Sequence, residues 1–565
     1  MSDLFDRYWR SAMVLVLLLA AAAMAWAAGL ELRRWAWDRT QGAHFVGDVT
    51  NAFNWGNYSR RNGLFAVYDN NLADFANNIP PAAGLRPKKI DYPPLRLTAA
   101  WLWYGWLHRQ FPDADTWQDR YDFTWPLLCA NTVAEECCAI LIFLIVWMWR
   151  RRNARITKDS PPWDRALCGV VAGAVGAAVL WFNPAVIWDG HCWPQWDIWP
   201  VPFFLAAVLL SCVDGWFSAG LCLAIGASLK GQILLGAPIL LIWPIFRGQF
   251  GAALRLLSGF MLLTALIALP WMRCDAAAYV WLAMAAVAML CMFPFIFRWN
   301  KLGKWPPMLL TIAALAFAWP WGGHDPKAGG TCVILGWILF AKIQDLPAKL
   351  KFPAIGLLAS AAIFALMPLF HASSAWYELG FKYGTEKFDF MVTGNGSYNI
   401  PRMIQVYFNW PPDPTQPVPI PFLHAAVTFT QLTRIVYAIT LILCGIGVAM
   451  NDRRRDARFL IGIAAPWLLF FMILTQMHGR YTIWAGAILP LLAGAGAGLT
   501  LLAVIVSIIG CMGIMHNQLL FSPRWSPDTL QLLSSLDPGP GFVLLLIAGI
   551  LLYMAVVPRS RSGEG

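Results

Sequence analysis

The chain has 565 residues, of which 59% are hydrophobic and only 13% charged. A soluble chain of this length carries nearer a quarter charged residues, so a conventional soluble enzyme is excluded. The formal charge of +11 comes from short basic runs beside apolar blocks, such as Arg150–Arg152 with Arg155 and Lys158, and Arg453–Arg455 with Arg458. That is the pattern of cytoplasmic ends of membrane helices, not of a nucleic-acid-binding surface.

A membrane crossing needs roughly 20 apolar residues. Block 11–30 reads as a retained first span, with Arg7 and Arg10 on its cytoplasmic side. Residues 31–122 then form a long, mostly polar segment. The next firm span, 123–149, ends at the first basic run, which puts the long segment outside. Arg33 and Arg34 then lie on the wrong side, as long translocated loops allow. Within that segment, Pro93 and Pro94 lead into an aromatic-faced helix over about 95–110, suited to lying at the membrane surface. Block 166–182 returns to the outside, a turn follows at 183–197, and the chain descends over 198–213. Two short apolar blocks, 216–229 and 232–246, flank Lys230 and predict a broken or hairpin crossing. Such backbone is tolerated at membrane depth only where it is buried or lines a polar cavity.

Further spans are expected at 256–272, 276–297, 306–321, 330–343 and 352–370. A second outer loop occupies 372–420, with Glu378, Lys382, Lys387 and then Asn395 to Arg402. Spans 421–449 and 458–475 follow. Block 483–517 is too long for one helix, and Gly494, Gly496 and Gly498 mark a turn in it. The last span is 541–557. Both termini are then inside, which calls for an even count, 14 or 16. The fold class is an all-α polytopic membrane bundle of about 14 helices with two large outer loops carrying interfacial helices. The catalytic module would be 1–490, followed by C-terminal spans at 491–565. Many of the 32 tryptophans, Trp147, Trp149, Trp319 and Trp321 among them, sit at block ends as an aromatic belt would. The 12 cysteines have no metal-binding spacing, though Cys192 and Cys274 fall in outer loops where they could pair.

Charged groups at helix ends are the candidates for chemistry. Gly47-Asp48 opens the first outer loop; Asp48 either caps a helix starting at Thr50 or Asn51, or serves as a general base. Asp91-Tyr92-Pro93-Pro94-Leu95 is a rigid, extended lead into the surface helix. Asp189-Gly190-His191, Gln195 and Asp197, with Trp188, Trp193 and Trp196, pack acids, a His and aromatics into one turn, which is either interfacial or holds a sugar. Lys230 is either a snorkelling lysine or a phosphate-binding point charge. His478 and Arg480, in Gln476-Met477-His478-Gly479-Arg480-Tyr481, are either interfacial anchors or phosphate ligands.

Taken in order, these motifs make the chain resemble the GT-C superfamily of polytopic glycosyltransferases. It is most similar to the dolichyl-phosphate-glucose-dependent glucosyltransferases of N-glycan assembly and their bacterial polyprenyl-phosphate-sugar-dependent relatives. That group carries a Gly-Asp in the first outer loop, matched by Gly47-Asp48, and a DYPPL motif, matched by Asp91 to Leu95. It also has a Pro-led Asp-Gly-His segment with a Gln, here Pro184, Asp189 to His191 and Gln195. A Lys then Gln then Pro follows, here Lys230, Gln232 and Pro238. The chain's Met477 to Tyr481 stands for the group's late Met-His-Glu-Arg-Tyr. Thr50 replaces an acidic residue, Gly479 replaces the Glu, and extra residues separate His191 from Gln195.

The resemblance implies an inverting hexosyl transfer from a polyprenyl-phosphate donor on the non-cytoplasmic face. The acceptor would be a lipid-linked glycan, a polysaccharide or a protein. Asp48 would be the base, with Lys230, His478 and Arg480 on the carrier phosphate. Asp91, Tyr92, Asp189, His191, Gln195 and Asp197 would shape the sugar or acceptor pocket. It implies no metal or other cofactor, membrane lipids as surroundings, and no nucleic-acid partner. Residue usage favours a bacterial inner membrane with the site facing outward, or the endoplasmic reticulum in a eukaryote. A transporter or lipid flippase is the rival reading, which predicts paired repeats and charges near the bilayer midplane; a non-catalytic membrane scaffold is a second rival.

Overall fold

The computed structural model describes residues 2–40, 44, 46–77, 89–153, 162–273, 346–366, 371–383, 391–394, 396–410, 413–420 and 425–557. The spans expected at 276–297, 306–321 and 330–343, with Trp319, Trp321, Cys274, Lys387 and Asn395, lie outside the described residues. What is described is overwhelmingly helical, with one small exception just before residue 429, so the span expected from 421 begins later, at Phe429. There β1 (Pro417–Ile420) pairs antiparallel with β2 (Ala425–Thr428).

The first apolar block lies within α1 (Ser2–Arg39), which runs on past the expected boundary at residue 30. The reason is a tertiary contact: Arg33 is not stranded in a loop but buried, bonded through Nε to Glu135 at 2.5 Å. The polar segment then folds as α2 (Val46–Asn62), α3 (Val67–Ala76) and α4 (Pro94–Gln110). Pro94 sits at the first helical position of α4, where its missing N–H costs nothing. These three helices share a second, aromatic core built on Phe53, Tyr68, Tyr92, Trp103 and Tyr104, to which Trp196 is added from the later turn.

Long helices follow: α5 (Tyr121–Asn153), α6 (Pro162–Trp181), α7 (Pro184–Ile187) continued by a π-helical turn at Trp188–Cys192, and α8 (Val201–Cys212). As the sequence predicts, the chain breaks at Lys230. α9 (Trp216–Leu229) ends there in extended backbone, a 3-10 turn covers Gly231–Leu235, and α10 (Ile239–Phe246) resumes. α11 (Phe250–Ala268), α12 (Ala348–Leu366), α13 (Ala375–Tyr377) and α14 (Ile400–Phe408) complete the middle.

α15 (Phe429–Arg454) starts with a capping box between Thr428 and Gln431. α16 (Arg458–Ile473) is apolar on every side and buried from Phe459 to Ile473. A helix without a polar face has to be wrapped by others. Here α15, α20 (Pro540–Val556), α17 (Thr482–Ile488) and the 3-10 turn Leu489–Gly494 surround it. The long block at 483–517 divides at Ala495–Gly496, and α18 (Ala497–Phe521) and α19 (Pro527–Leu536) lead to α20.

Among the described residues, five helical stretches are long and apolar enough to cross a membrane: Tyr121–Arg151, Cys168–Cys192, Phe250–Met272, Phe429–Arg454 and Ala497–Phe521. The bent pair α19 and α20 makes a sixth if it is one span. This is a helical membrane protein. One belt residue is misassigned by position alone: Trp149 is buried and stacks on Phe459, with ring centroids 4.2 Å apart. Cys192 is a buried free thiol.

Candidate active site

The turn between α6 and α8 is built from within. Asn183 caps α7 by accepting the Val186 N–H, and its amide donates to Gly486 O at 2.9 Å. Asn131 of α5 donates to Gly190 O at 2.8 Å and Gln195 O at 2.9 Å, while Trp199 Nε1 donates to Asn131 Oδ1. Gly190 passes so close to α5 that a Cβ there would lie 2.9 Å from Glu135 Oε1. This scaffold presents Asp189, Gln195 and Asp197 together, all fully buried.

Arg480 is the centre of the cluster. Its Nη1 donates to Asp48 Oδ2, 432 residues away in sequence, and to Gln195 Oε1 at 3.0 Å. Its Nε lies 3.9 Å from Asp197 Oδ2. Asp197 in turn accepts from Lys230 Nζ, and its backbone carbonyl accepts from Trp484 Nε1. Lys230 lies 5.3 Å from the Tyr481 ring and 5.2 Å from the Trp484 ring. The chain break at Lys230 therefore positions an ammonium inside an aromatic and acidic setting. A snorkelling lysine would instead keep its head in water; Lys230 is 5% exposed.

Asp48 does not precede its helix, as a cap residue would, but sits in the first turn of α2, where the helix dipole favours a carboxylate. Its side chain is 23% exposed, so it is the acid of the cluster open to an arriving molecule. Tyr92 donates its hydroxyl to Asp48 O at 3.0 Å and so ties the DYPPL segment to α2. Burial pushes the Asp48 carboxyl up. Arg480, by charge and hydrogen bond, and then Arg96 and Lys230 overcome that and hold it down at about 2. Asp197 is likewise pushed up by burial and brought below the usual carboxylate range by Lys230 and Arg480.

His478 is pushed down to about 4, first by burial and then by the Arg480 charge. At neutral pH it brings a neutral imidazole, not a second cation. Its ring packs on Gly394, where a Cβ would meet Nδ1 at 2.3 Å.

One of the expected site residues stands apart. His191 turns away from the cluster to Glu135, 3.2 Å from Oε1, and shares that carboxylate with Arg33. Asp91, at the start of the DYPPL segment, acts through its charge on Tyr68 and Tyr92. Two residues escape the sequence reading. Arg96, one residue past the DYPPL motif, lies over Tyr92 at 4.4 Å and Trp196 at 5.2 Å and acts electrostatically on Asp48, Asp197 and Lys230. Its signal was an arginine in the first turn of an otherwise apolar and aromatic helix. Glu135 is a carboxylate inside an apolar span, the signal for a buried ion pair.

The site leaves polar capacity unused. Among the described residues, both Asp189 carboxylate oxygens, Gln195 Nε2, Arg96 Nε and Arg480 Nε meet no hydrogen-bond partner, although all are buried. Buried polar atoms without partners are costly, and these five are the atoms that water or a polar ligand would satisfy. Among the described residues no three His, Cys, Asp or Glu side chains gather as a metal would require. Compared with known proteins, the chain matches no protein-family model and no curated protein.

Proposed function

We propose that this protein is an inverting glycosyltransferase that moves a hexose from a polyprenyl-phosphate carrier to a hydroxyl acceptor on the non-cytoplasmic face. The observation that carries this reading is the meeting of Asp48 with Arg480 beside the Lys230–Asp197 pair. One carboxylate open to a substrate, a buried ammonium and a part-buried guanidinium suit an alcohol nucleophile and a phosphate leaving group. The unpaired donors and acceptors around Asp189 and Gln195 suit a polyhydroxyl sugar.

In the resting arrangement each cation is engaged by a carboxylate. A carrier phosphate arriving at Arg480 and Lys230 competes with Asp48 and Asp197 for them. Once Arg480 turns to the phosphate, the attraction holding the Asp48 carboxyl near 2 weakens, while burial still pushes it up. Asp48 becomes a stronger base as the donor seats. The acceptor hydroxyl gives its proton to Asp48 and its oxygen bonds the anomeric carbon. The bond from that carbon to the phosphate oxygen breaks, and the electron pair leaves with the phosphate, stabilised by Lys230, Arg480 and Arg96. His478 supplies a neutral donor beside it. The leaving group is already a phosphate, so no general acid is required.

The topology that fits is the GT-C-like one of about 14 spans, with loops 31–122 and 372–420 outside. The test uses purified protein, a labelled polyprenyl-phosphate hexose and lipid-linked, glycan and peptide acceptors. Transfer is expected, and Asp48→Asn lowers it by about 10²–10⁴-fold with donor binding retained. Full activity in Asp48→Asn removes Asp48 from the chemistry. Solute or lipid movement across liposomes without transfer makes the protein a transporter or flippase.

A further inference from the structure

α2 and α4 carry a cationic cluster that the proposed transfer does not use. Both helices end on basic residues, Arg60 and Arg61 in α2, His108 and Arg109 in α4. A helix dipole favours a cation in the last turn, which accounts for a basic residue at each end taken singly. It does not account for the two ends being brought to one point. Arg60 reaches across the Trp101 ring, 4.5 Å away, and lays its guanidinium against Gly105 of α4, where a Cβ would leave it no room. Arg109 Nε donates to the Gly105 carbonyl at 3.1 Å. Arg60 and Arg61 both act through their charges on Tyr104, beside Gly105.

Like charges gathered in this way repel until an anion joins them. Among the described residues no carboxylate pairs with Arg60, Arg61 or Arg109, and all three side chains are exposed. Asp115, in the loop after α4, also acts on Tyr104 but makes no ion pair, and Arg120 is taken by Asp122 at 2.9 Å. The place of the cluster says what kind of anion fits. Beside the end of α2, Trp271 Nε1 donates to Leu64 O at 3.2 Å and meets Phe65 edge to face, at the close of the membrane-length stretch Phe250–Met272. Beside the end of α4, Phe111 stacks on Phe123 at 4.6 Å and Trp106 meets Trp125 at 5.5 Å, at the opening of Tyr121–Arg151. The arginines therefore stand where two spans leave the apolar layer, at the depth of lipid headgroups. Apolar surface continues from them. Leu102, Trp106 and Arg109 follow one stripe of α4, and Leu102, Phe65 and Trp125 are exposed.

We infer that Arg60, Arg61 and Arg109 bind the phosphate of an anionic phospholipid in the leaflet on the candidate active-site side. Guanidinium forks match phosphate oxygens, and the Trp101 ring holds Arg60 in place by a cation–π contact. The exposed Phe65, Leu102 and Trp125 lie against the acyl chains. An anion without a tail would leave that apolar surface uncovered, and a headgroup with its own cation would bring a like charge to the arginines. From Asp48 to Arg60 α2 runs about 18 Å, so this site is separate from the transfer cluster. A lipid held there ties the helix that carries Asp48 to the membrane surface.

The experiment uses the full-length protein in phosphatidylcholine nanodiscs that hold a trace of photoactivatable phosphatidylglycerol or, in parallel, of photoactivatable phosphatidylcholine. Cross-linked peptides are mapped by mass spectrometry. Phosphatidylglycerol is expected to mark residues 54–75 and 98–125 in clear preference to phosphatidylcholine. Arg61→Gln combined with Arg109→Gln leaves the packing of Arg60 on Trp101 intact and lowers that labelling about tenfold or more. Labelling of the basic run at 453–458 in the same sample is the internal reference and stays unchanged. If the double variant melts early, Arg61→Gln alone is used, with a loss of about fivefold expected. Glycerol phosphate, added at millimolar concentration to delipidated protein in neutral detergent, separates the sources, and no thermal shift is expected from it. A shift that the double variant abolishes assigns the site to a soluble phosphate and overturns the lipid reading. Equal labelling by the two lipids, or wild-type labelling in the variants, overturns it as well.

Discussion

At the scale of single residues, the cluster works by balance between burial and opposite charge. Asp48 and His478 lie close to the same guanidinium and respond in different ways. Arg480 attracts the Asp48 carboxylate, which stays ionised at every working pH, and repels a proton on His478, which stays neutral. The His478 shift has a stability consequence with a definite sign. Its folded value, about 4, lies below the unfolded value near 6.5, so the unfolded chain binds a proton first as the medium is acidified. Stability is therefore fully present above about 6.5 and falls as pH drops toward 4, by up to ~3 kcal/mol. His478→Gln, a neutral side chain of similar reach, is expected to flatten the thermal-midpoint profile between those two pH values. An unchanged profile would place the proton elsewhere.

Gly479 shows a departure from a motif being set by packing. The resemblance leads one to expect Glu there. A Cβ at 479 would lie 2.3 Å from Gly396 O and 2.6 Å from Gly513 O, so this backbone admits only glycine. Gly396 itself has φ of +66°, the left-handed region where a side chain is strained. The segments around Gly396 and Gly479 pack directly against α18 at Gly513, which leaves no room for a side chain at 479.

At the scale of elements, α1, α5 and the π-helical turn are joined by one buried carboxylate. Glu135 accepts from Arg33 and faces His191, and Arg33 also donates to Gly29 O and Trp181 O and lies 3.7 Å above the Trp181 ring. Removing one partner of such a pair leaves a buried charge unmatched, at a cost of about 3–5 kcal/mol. Glu135→Gln is expected to lower the thermal midpoint in detergent sharply, and adding Arg33→Gln should recover much of the loss. If the double variant is no better than the single one, the pair is not the stabilising unit. Because the turn also carries Gln195 and Asp197, Glu135→Gln should lower activity through loss of position as well as of fold.

At the scale of the whole molecule, the candidate active site and a polar cavity lined by Trp149, Trp216, Trp243, Arg247 and Asp452 lie toward opposite ends of α8 and α10. If the basic runs face the cytoplasm, a cysteine placed at Thr415 is labelled by an impermeant maleimide on intact cells. One placed at Arg454 is labelled only after permeabilisation. The background must lack the exposed native thiols, such as Cys129 and Cys137. Reversed labelling would invert the orientation and put the proposed transfer site on the wrong face.

The membrane class, a helix opening at Pro94, the break at Lys230 and the division of the block at 483–517 all follow from local rules. Long apolar runs, proline at a first helical turn and a charge between two short blocks each act over a few residues, and the sequence states them. The same rules left Asp48 between a helix cap and a base, and misread Trp149 as a belt residue and Arg33 as a loop residue, because each is governed by a partner far along the chain. Tertiary structure alone decided that Asp48 meets Arg480, that His191 belongs with Glu135, and that Arg96 joins the cluster. These are contacts between buried charges, and a buried charge is stable only where an opposite one is brought to it. Composition can announce that such charges exist, but the pairing is fixed by which helix ends the packing of apolar faces brings together.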